Sequence, residues 1–117
     1  MPPPPTPRPR RYDALSRRHP ELAQAYEGLV AACQEAGPLP PHEIALLKVA
    51  VSIGRGSSRS VHAHARKALE AGVAPDALRH LVLVSLPTIG LPATLDALKW
   101  VDECIDERDQ ASALVPA

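Results

Sequence analysis

The 117 residues suffice for one small domain. Thirteen basic residues balance thirteen acidic ones, so no overall charge favours nucleic acid or a membrane surface, and neither is expected as a partner. Phe is absent, Trp100 stands alone, and Tyr12 and Tyr26 are the two tyrosines, which leaves Leu, Val, Ile and Ala to fill a thin core. A core of that kind leans readily on a second subunit.

The opening MPPPPTPRPRR is expected to be a disordered or polyproline-like arm over residues 1–11, because its prolines lack donors and fix φ. It has no apolar stretch of the kind a secretory leader needs. No apolar run in the chain reaches spanning length. Cys33 and Cys104 are far apart and match no zinc or CxxC spacing, so both are expected to be free thiols acting as small apolar residues. A soluble, cytoplasmic protein with reduced cysteines is the expectation.

The helical domain is expected over residues 12–110. Residues 20–36 carry the first helical stripe, Leu22, Ala25, Tyr26, Leu29, Val30 and Cys33, opened by Pro20 and stopped by Gly37 and Pro38. Residues 39–53 make a second helix. Pro41 suits its first position, Glu43 favours its dipole, and Gly54 is expected to end it. Lys48 is the sole charge in its apolar body, so burial on several sides is expected. A third helix starts at Ser57 or Ser58 and runs to Ala71, with Gly72 closing it.

Pro75 and Asp76 start a fourth helix, whose stripe is Leu78, Leu81, Val82 and Ser85, with a break expected at Pro87. Its LVLVSL run has strand propensity, which the helical start signal and stripe override. Residues 92–109 form a fifth helix that buries Thr94 or Ala93 near its start and Leu95, Leu98, Val101 and Ile105 along it. Residues 111–117 are expected to fray. The class is all-α, about five helices and no strand. The acidic group Asp102, Glu103, Asp106, Glu107 and Asp109 is expected to solvate the last helix turns, as Arg8, Arg10, Arg11, Arg17 and Arg18 solvate the start.

GRGSSRSVHAH, residues 54–64, gathers the residues able to do chemistry. Ser57, Ser60 and His64 are spaced three and four apart and share one helical face, while His62 points away. Ser60 and His64 can pair, with the imidazole as general base. Equally, Ser57 can be a helix cap and His64 a satisfied half-buried histidine. Gly54, Gly56 and the free N–H groups nearby can cradle an anion, with Arg55 and Arg59 as local charges, or can simply turn the chain. Glu43 can orient or exchange protons with His64, or serve only the helix dipole. Lys48 can be a desolvated cation facing substrate, or can snorkel to the edge. His42 and His80 are read as structural, and no metal set is expected.

Residues 43–103 resemble a carboxymuconolactone decarboxylase domain, an all-helical family that also contains alkylhydroperoxidase D. The resemblance rests on EIALLKVAVSIGRG and on HAHARKALEAGVAPDALRHLVLVSLPTIGLPATLDALKWVDE. In the alkylhydroperoxidase D branch a CxxCxxxH motif supplies a redox dithiol and a histidine. The matching positions here are Ser57, Ser60 and His64, so the histidine is kept and both sulfurs are gone. A serine hydroxyl forms neither the disulfide nor the sulfenate of peroxide chemistry. Glu43 lies further upstream of Ser57 than that branch's glutamate.

The resemblance to the cysteine-free decarboxylase branch implies cofactor-independent acid–base work on a small carboxylate or lactone. His64 would move the proton, with Ser60, Ser57 and Glu43 in support, and Arg55, Arg59 and Lys48 would hold the substrate. Two alternatives stand beside it: an alkylhydroperoxidase-like antioxidant activity, which Ser57 and Ser60 disfavour, and a non-catalytic oligomeric ligand-binding protein. The resemblance also implies self-association as a trimer or hexamer.

Overall fold

A computed structural model describes residues 10–114. Among them are six helices and no strand: α1 (Arg10–Arg18), α2 (Pro20–Glu35), α3 (Pro41–Arg55), α4 (Ser58–Glu70), α5 (Pro75–Ile89) and α6 (Leu91–Leu114). The chain divides into two compact units, one ending at Pro41 and one beginning at His42.

In the first unit α1 packs against α2. The Tyr12 hydroxyl donates to Glu27 Oε1 at 2.9 Å, and the Tyr12 and Tyr26 rings lie tilted with centroids 6.2 Å apart. α1 was not foreseen. Its sequence RRYDALSRR has too few apolar residues for a visible stripe, but Asp13 in its first turn and Arg17 and Arg18 in its last complement the helix dipole. Arg10 and Arg11, assigned above to the arm, are therefore helical, and residues 1–9 of that arm lie outside the described residues. Pro20 opens α2 as expected, yet only Ala23 of α2 is buried. The stripe of Leu22, Tyr26, Leu29 and Cys33 is exposed.

The second unit carries the main core. Val49 and Ile53 from α3, Val61, Ala65, Ala68 and Leu69 from α4, and Leu78 and Val82 from α5 pack with Ala97, Val101, Cys104 and Ile105 of α6. α6 is packed against both α4 and α5. This core is aliphatic apart from the Cys104 thiol, with the buried hydroxyls of Ser52 and Thr94 beside it in α3 and α6 and Trp100 half-buried at its edge.

Glycines in the left-handed region end three of the helices, and the first of them is not the one expected. α3 runs through Gly54 to Arg55 and ends at Gly56, whose φ is 70°. There the Gly56 N–H donates to the Ile53 carbonyl at 2.9 Å and the Ser57 N–H to the Ser52 carbonyl at 3.4 Å, the paired bonds of a Schellman ending. α4 ends the same way at Gly72, φ 96°, with bonds from Gly72 N–H to Leu69 and from Val73 N–H to Ala68.

The fourth expected helix was to break at Pro87, but α5 passes through it to Ile89 and turns at Gly90, φ 89°. Pro87 lies within the last turn, so one backbone bond is lost, on a side of the helix where Leu83 and Pro87 are exposed. α6 starts one residue earlier than expected and extends to Leu114, so residues 111–114, expected to fray, are helical. Its buried face also differs. Thr94, Val101 and Ile105 are buried as expected and Leu98 is half-buried, but Leu95 is exposed, and Ala97 and Cys104 join the inward face. No helix among the described residues is long and apolar enough to cross a membrane.

Candidate active site on α3 and α4

The polar residues of interest are set by one tight connection. Ser57 takes an extended conformation, φ −96° and ψ 107°, and its Oγ accepts the Ser60 N–H at 3.2 Å. Ser57 is thus the N-cap of α4, and it is also the residue that completes the ending of α3. Its hydroxyl satisfies one of the donors that a helix start leaves unpaired. With α4 begun there, Ser60 and His64 fall on the face predicted for them, and both are half-buried.

No hydrogen bond joins Ser60 Oγ to His64, and among the described residues the His64 ring has no hydrogen-bond or ion-pair partner. Its pKa is lowered from 6.5, first by burial, then by the positive charges of Lys67 and Lys48. The structure therefore brings His64 and Lys48 into one electrostatic neighbourhood and adds Lys67, which sequence reasoning passed over. The signal for Lys67 was available, since Ser60, His64 and Lys67 continue one helical stripe at i, i+4 and i+7. Lys48 is half-buried on α3, and Lys67 is exposed.

The remaining candidates are looser. Arg55 lies in the last turn of α3 and Arg59 near the start of α4, both exposed. Glu43 is exposed in the first turn of α3, and no hydrogen bond or ion pair links it to His64 among the described residues.

His62, correctly expected to point elsewhere, faces α6: its Nε2 is 3.9 Å from Glu103 Oε2 and otherwise buried without a hydrogen bond. The acidic group on α6 does more than solvate the helix. Asp102 accepts from Arg79 Nε at 3.0 Å, and Glu107 pairs with Arg66 at 3.0 Å. Cys104 is buried with its Sγ 3.7 Å from the His62 carbonyl, and burial pushes its thiol up to about 11. Cys33 is exposed on α2, in the other unit.

The second unit is thus a small helical domain whose half-buried His64 has no hydrogen-bond partner among the described residues, with serines at positions 57 and 60. The family model described as Carboxymuconolactone decarboxylase family matches residues 20–103, and the chain belongs to that family. The match takes in α2 as well as the 43–103 stretch on which the resemblance rested. No curated protein and no solved structure matches the chain.

Proposed function

We propose that the chain is a cofactor-independent enzyme performing acid–base chemistry on a small carboxylate or lactone. The observation that carries this reading is the state of His64: half-buried, without a hydrogen-bond partner among the described residues, and favoured in its neutral form. A neutral imidazole takes up a proton at neutral pH and returns it as imidazolium. Ser60, one turn away on the same face, offers a hydroxyl to orient the substrate. Arg55 or Arg59 pairs with a carboxylate at the helix junction, where the first N–H groups of α4 add their partial charge. Ser57 acts by capping that helix.

The peroxide-reducing alternative needs two adjacent thiols. Ser57 and Ser60 hold none, and Cys33 and Cys104 lie outside that motif in the sequence. The same proposal includes self-association as a trimer or hexamer in the cytoplasm. Its support is the exposure of Leu47 and Val51 on α3, Leu83 and Val84 on α5, and Leu91 and Leu95 on α6.

A thermal-shift screen of wild type and His64→Ala against small lactones and carboxylates, followed by turnover of each hit, tests the enzyme reading. Stabilisation of the wild type alone, with product formed, is the expected result. A ligand that binds but is recovered unchanged after long incubation makes the chain a binding protein instead. Equal shifts in both proteins remove His64 from the site. Peroxide reduction that thiol alkylation abolishes restores the redox alternative.

A further inference from the structure

We infer that α2 pairs with α2 of a second copy of the chain, antiparallel about a two-fold axis, through the stripe Leu22, Tyr26, Leu29 and Cys33. These residues are spaced four, three and four apart, the spacing that keeps one seam facing a partner helix. Leu22, Tyr26 and Leu29 are each more than half exposed and Cys33 is exposed, so no described residue covers the seam. The face that α1 takes is marked by buried Ala23 and by Glu27, the acceptor from Tyr12, and lies about a quarter turn or more away. Tyr26 stands at the border, its ring tilted against Tyr12 yet still open to water. Ala23 is the one buried apolar residue of α1 and α2 among those described, so the helix pair holds little core of its own.

The stripe is complementary to itself, which makes a second copy its occupant. Under a two-fold axis between residues 27 and 28, Tyr26 faces the partner's Leu29 and Leu22 faces the partner's Cys33. A large side chain then meets a smaller one at every level, and each contact is made twice. Ala25 and Ala32, exposed on the flank away from α1, let the two backbones approach. Charge agrees with this alignment. At the start of α2, Arg17 and Arg18 outnumber Glu21, whereas its last turn holds Glu35 and no basic residue. None of Arg17, Arg18 and Glu35 forms an ion pair among the described residues. An antiparallel pair sets the basic end of each α2 beside the partner's acidic end and opposes the helix dipoles, whereas a parallel pair sets like against like. The contact is separate from the surfaces of α3, α5 and α6 and does not rest on them. A cyclic trimer contains no two-fold axis, so where trimers form, the α2 pair would join two of them into a hexamer.

The test is oxidative cross-linking of the full chain with diamide. Leu22→Cys sets a thiol opposite the partner's Cys33, while along one helix the two positions are three turns, about 16 Å, apart, too far to bridge. Wild-type Cys33 stands equally far from its own copy. Leu22→Cys should therefore form a covalent dimer about tenfold or more faster than wild type. Both positions lie at the rim of the pair, which leaves them open to the oxidant. Leu22→Cys/Cys33→Ser should lose the cross-link. Leu29→Glu, at the centre of the seam and exposed in the single chain, should abolish it in the Leu22→Cys background and about halve the sedimenting mass, with helical circular dichroism kept. Faster cross-linking in wild type than in Leu22→Cys would mean a parallel pair and overturns the inference. No preference for Leu22→Cys, or a mass that Leu29→Glu leaves unchanged, also overturns it and leaves the stripe to the N-terminal arm, to another protein or to water. A Leu22→Cys chain that cross-links as expected, beside a Leu47→Lys/Val51→Lys variant of unaltered size, defeats the contact at α3 alone.

Discussion

At His64, burial and two neighbouring lysines act in the same direction, against the charged imidazole. Its folded-state pKa lies below the unfolded value near 6.5, so below that pH the unfolded chain binds more protons than the folded one. Stability therefore rises with pH through the window beneath 6.5 and falls on acidification. His64→Gln removes this contribution. Urea midpoints measured from neutral pH downward should decline less steeply in the variant than in the wild type, and parallel declines would contradict the assignment.

Cys104 presents the opposite case for an acid: burial keeps the thiol protonated, up to about 11. It should be a poor nucleophile in the folded chain, whereas Cys33 is exposed. A thiol reagent in moderate excess should label Cys33 rapidly and reach Cys104 only after denaturant is added. Rapid labelling of both in the native protein would show that the α4–α6 seam opens readily.

The helix junction gives a paired prediction about two glycines that look alike in the sequence. Gly54 is helical, in the last turn of α3, and a Cβ there would meet nothing within 4 Å. Gly56 has equal space but a φ of 70°, which L-residues adopt at a cost. Gly54→Ala should stabilise the protein by about 0.5–1 kcal/mol, and Gly56→Ala should destabilise it by about 1–2 kcal/mol, both read from urea unfolding. The reverse order would mean that α3 ends at Gly54.

The sequence reading ended α3 at Gly54, but GRG offers two terminators, and the decision rests on which carbonyls of α3 the following N–H groups can reach. The same limit explains the other departures. Helical spacing put Ser57, Ser60 and His64 on one face without any tertiary knowledge, and the structure has them there. The influence of Lys48 on His64 crosses between helices, which no spacing within one helix encodes. Leu95 was expected to be buried by its hydropathy, but α6 meets α4 and α5 along Thr94, Ala97, Val101, Cys104 and Ile105, and that stripe leaves Leu95 outside. α1 was illegible because its residues specify a helix through charge placement at its ends rather than through an apolar stripe.

For the whole molecule, the question is what covers the apolar side chains that the core leaves out. Leu47 and Val51 are one turn apart on α3 and about half exposed, at 50% and 56%. Leu91 and Leu95 repeat that arrangement at the start of α6, with 57% and 55% exposed, and Leu83 and Val84 stand out on α5. A lone chain with so small an aliphatic core loses stabilisation by leaving such residues in water, each worth about 1.5–3 kcal/mol when fully buried. Copies of the chain meeting through these helices would recover part of it, which is the basis for proposing self-association. Wild type should therefore sediment well above the 12.5 kDa of one chain. Leu47→Lys/Val51→Lys should shift it towards that mass and lower its melting temperature, since assembly stabilises only the folded chain. Neither residue belongs to the packed core, so the isolated chain should keep its helical circular dichroism. A wild type that sediments as a single chain at micromolar concentration would defeat the proposal of self-association. A double variant that keeps the wild-type size would place the contact away from Leu47 and Val51, on another exposed apolar stripe such as those of α2, α5 or α6.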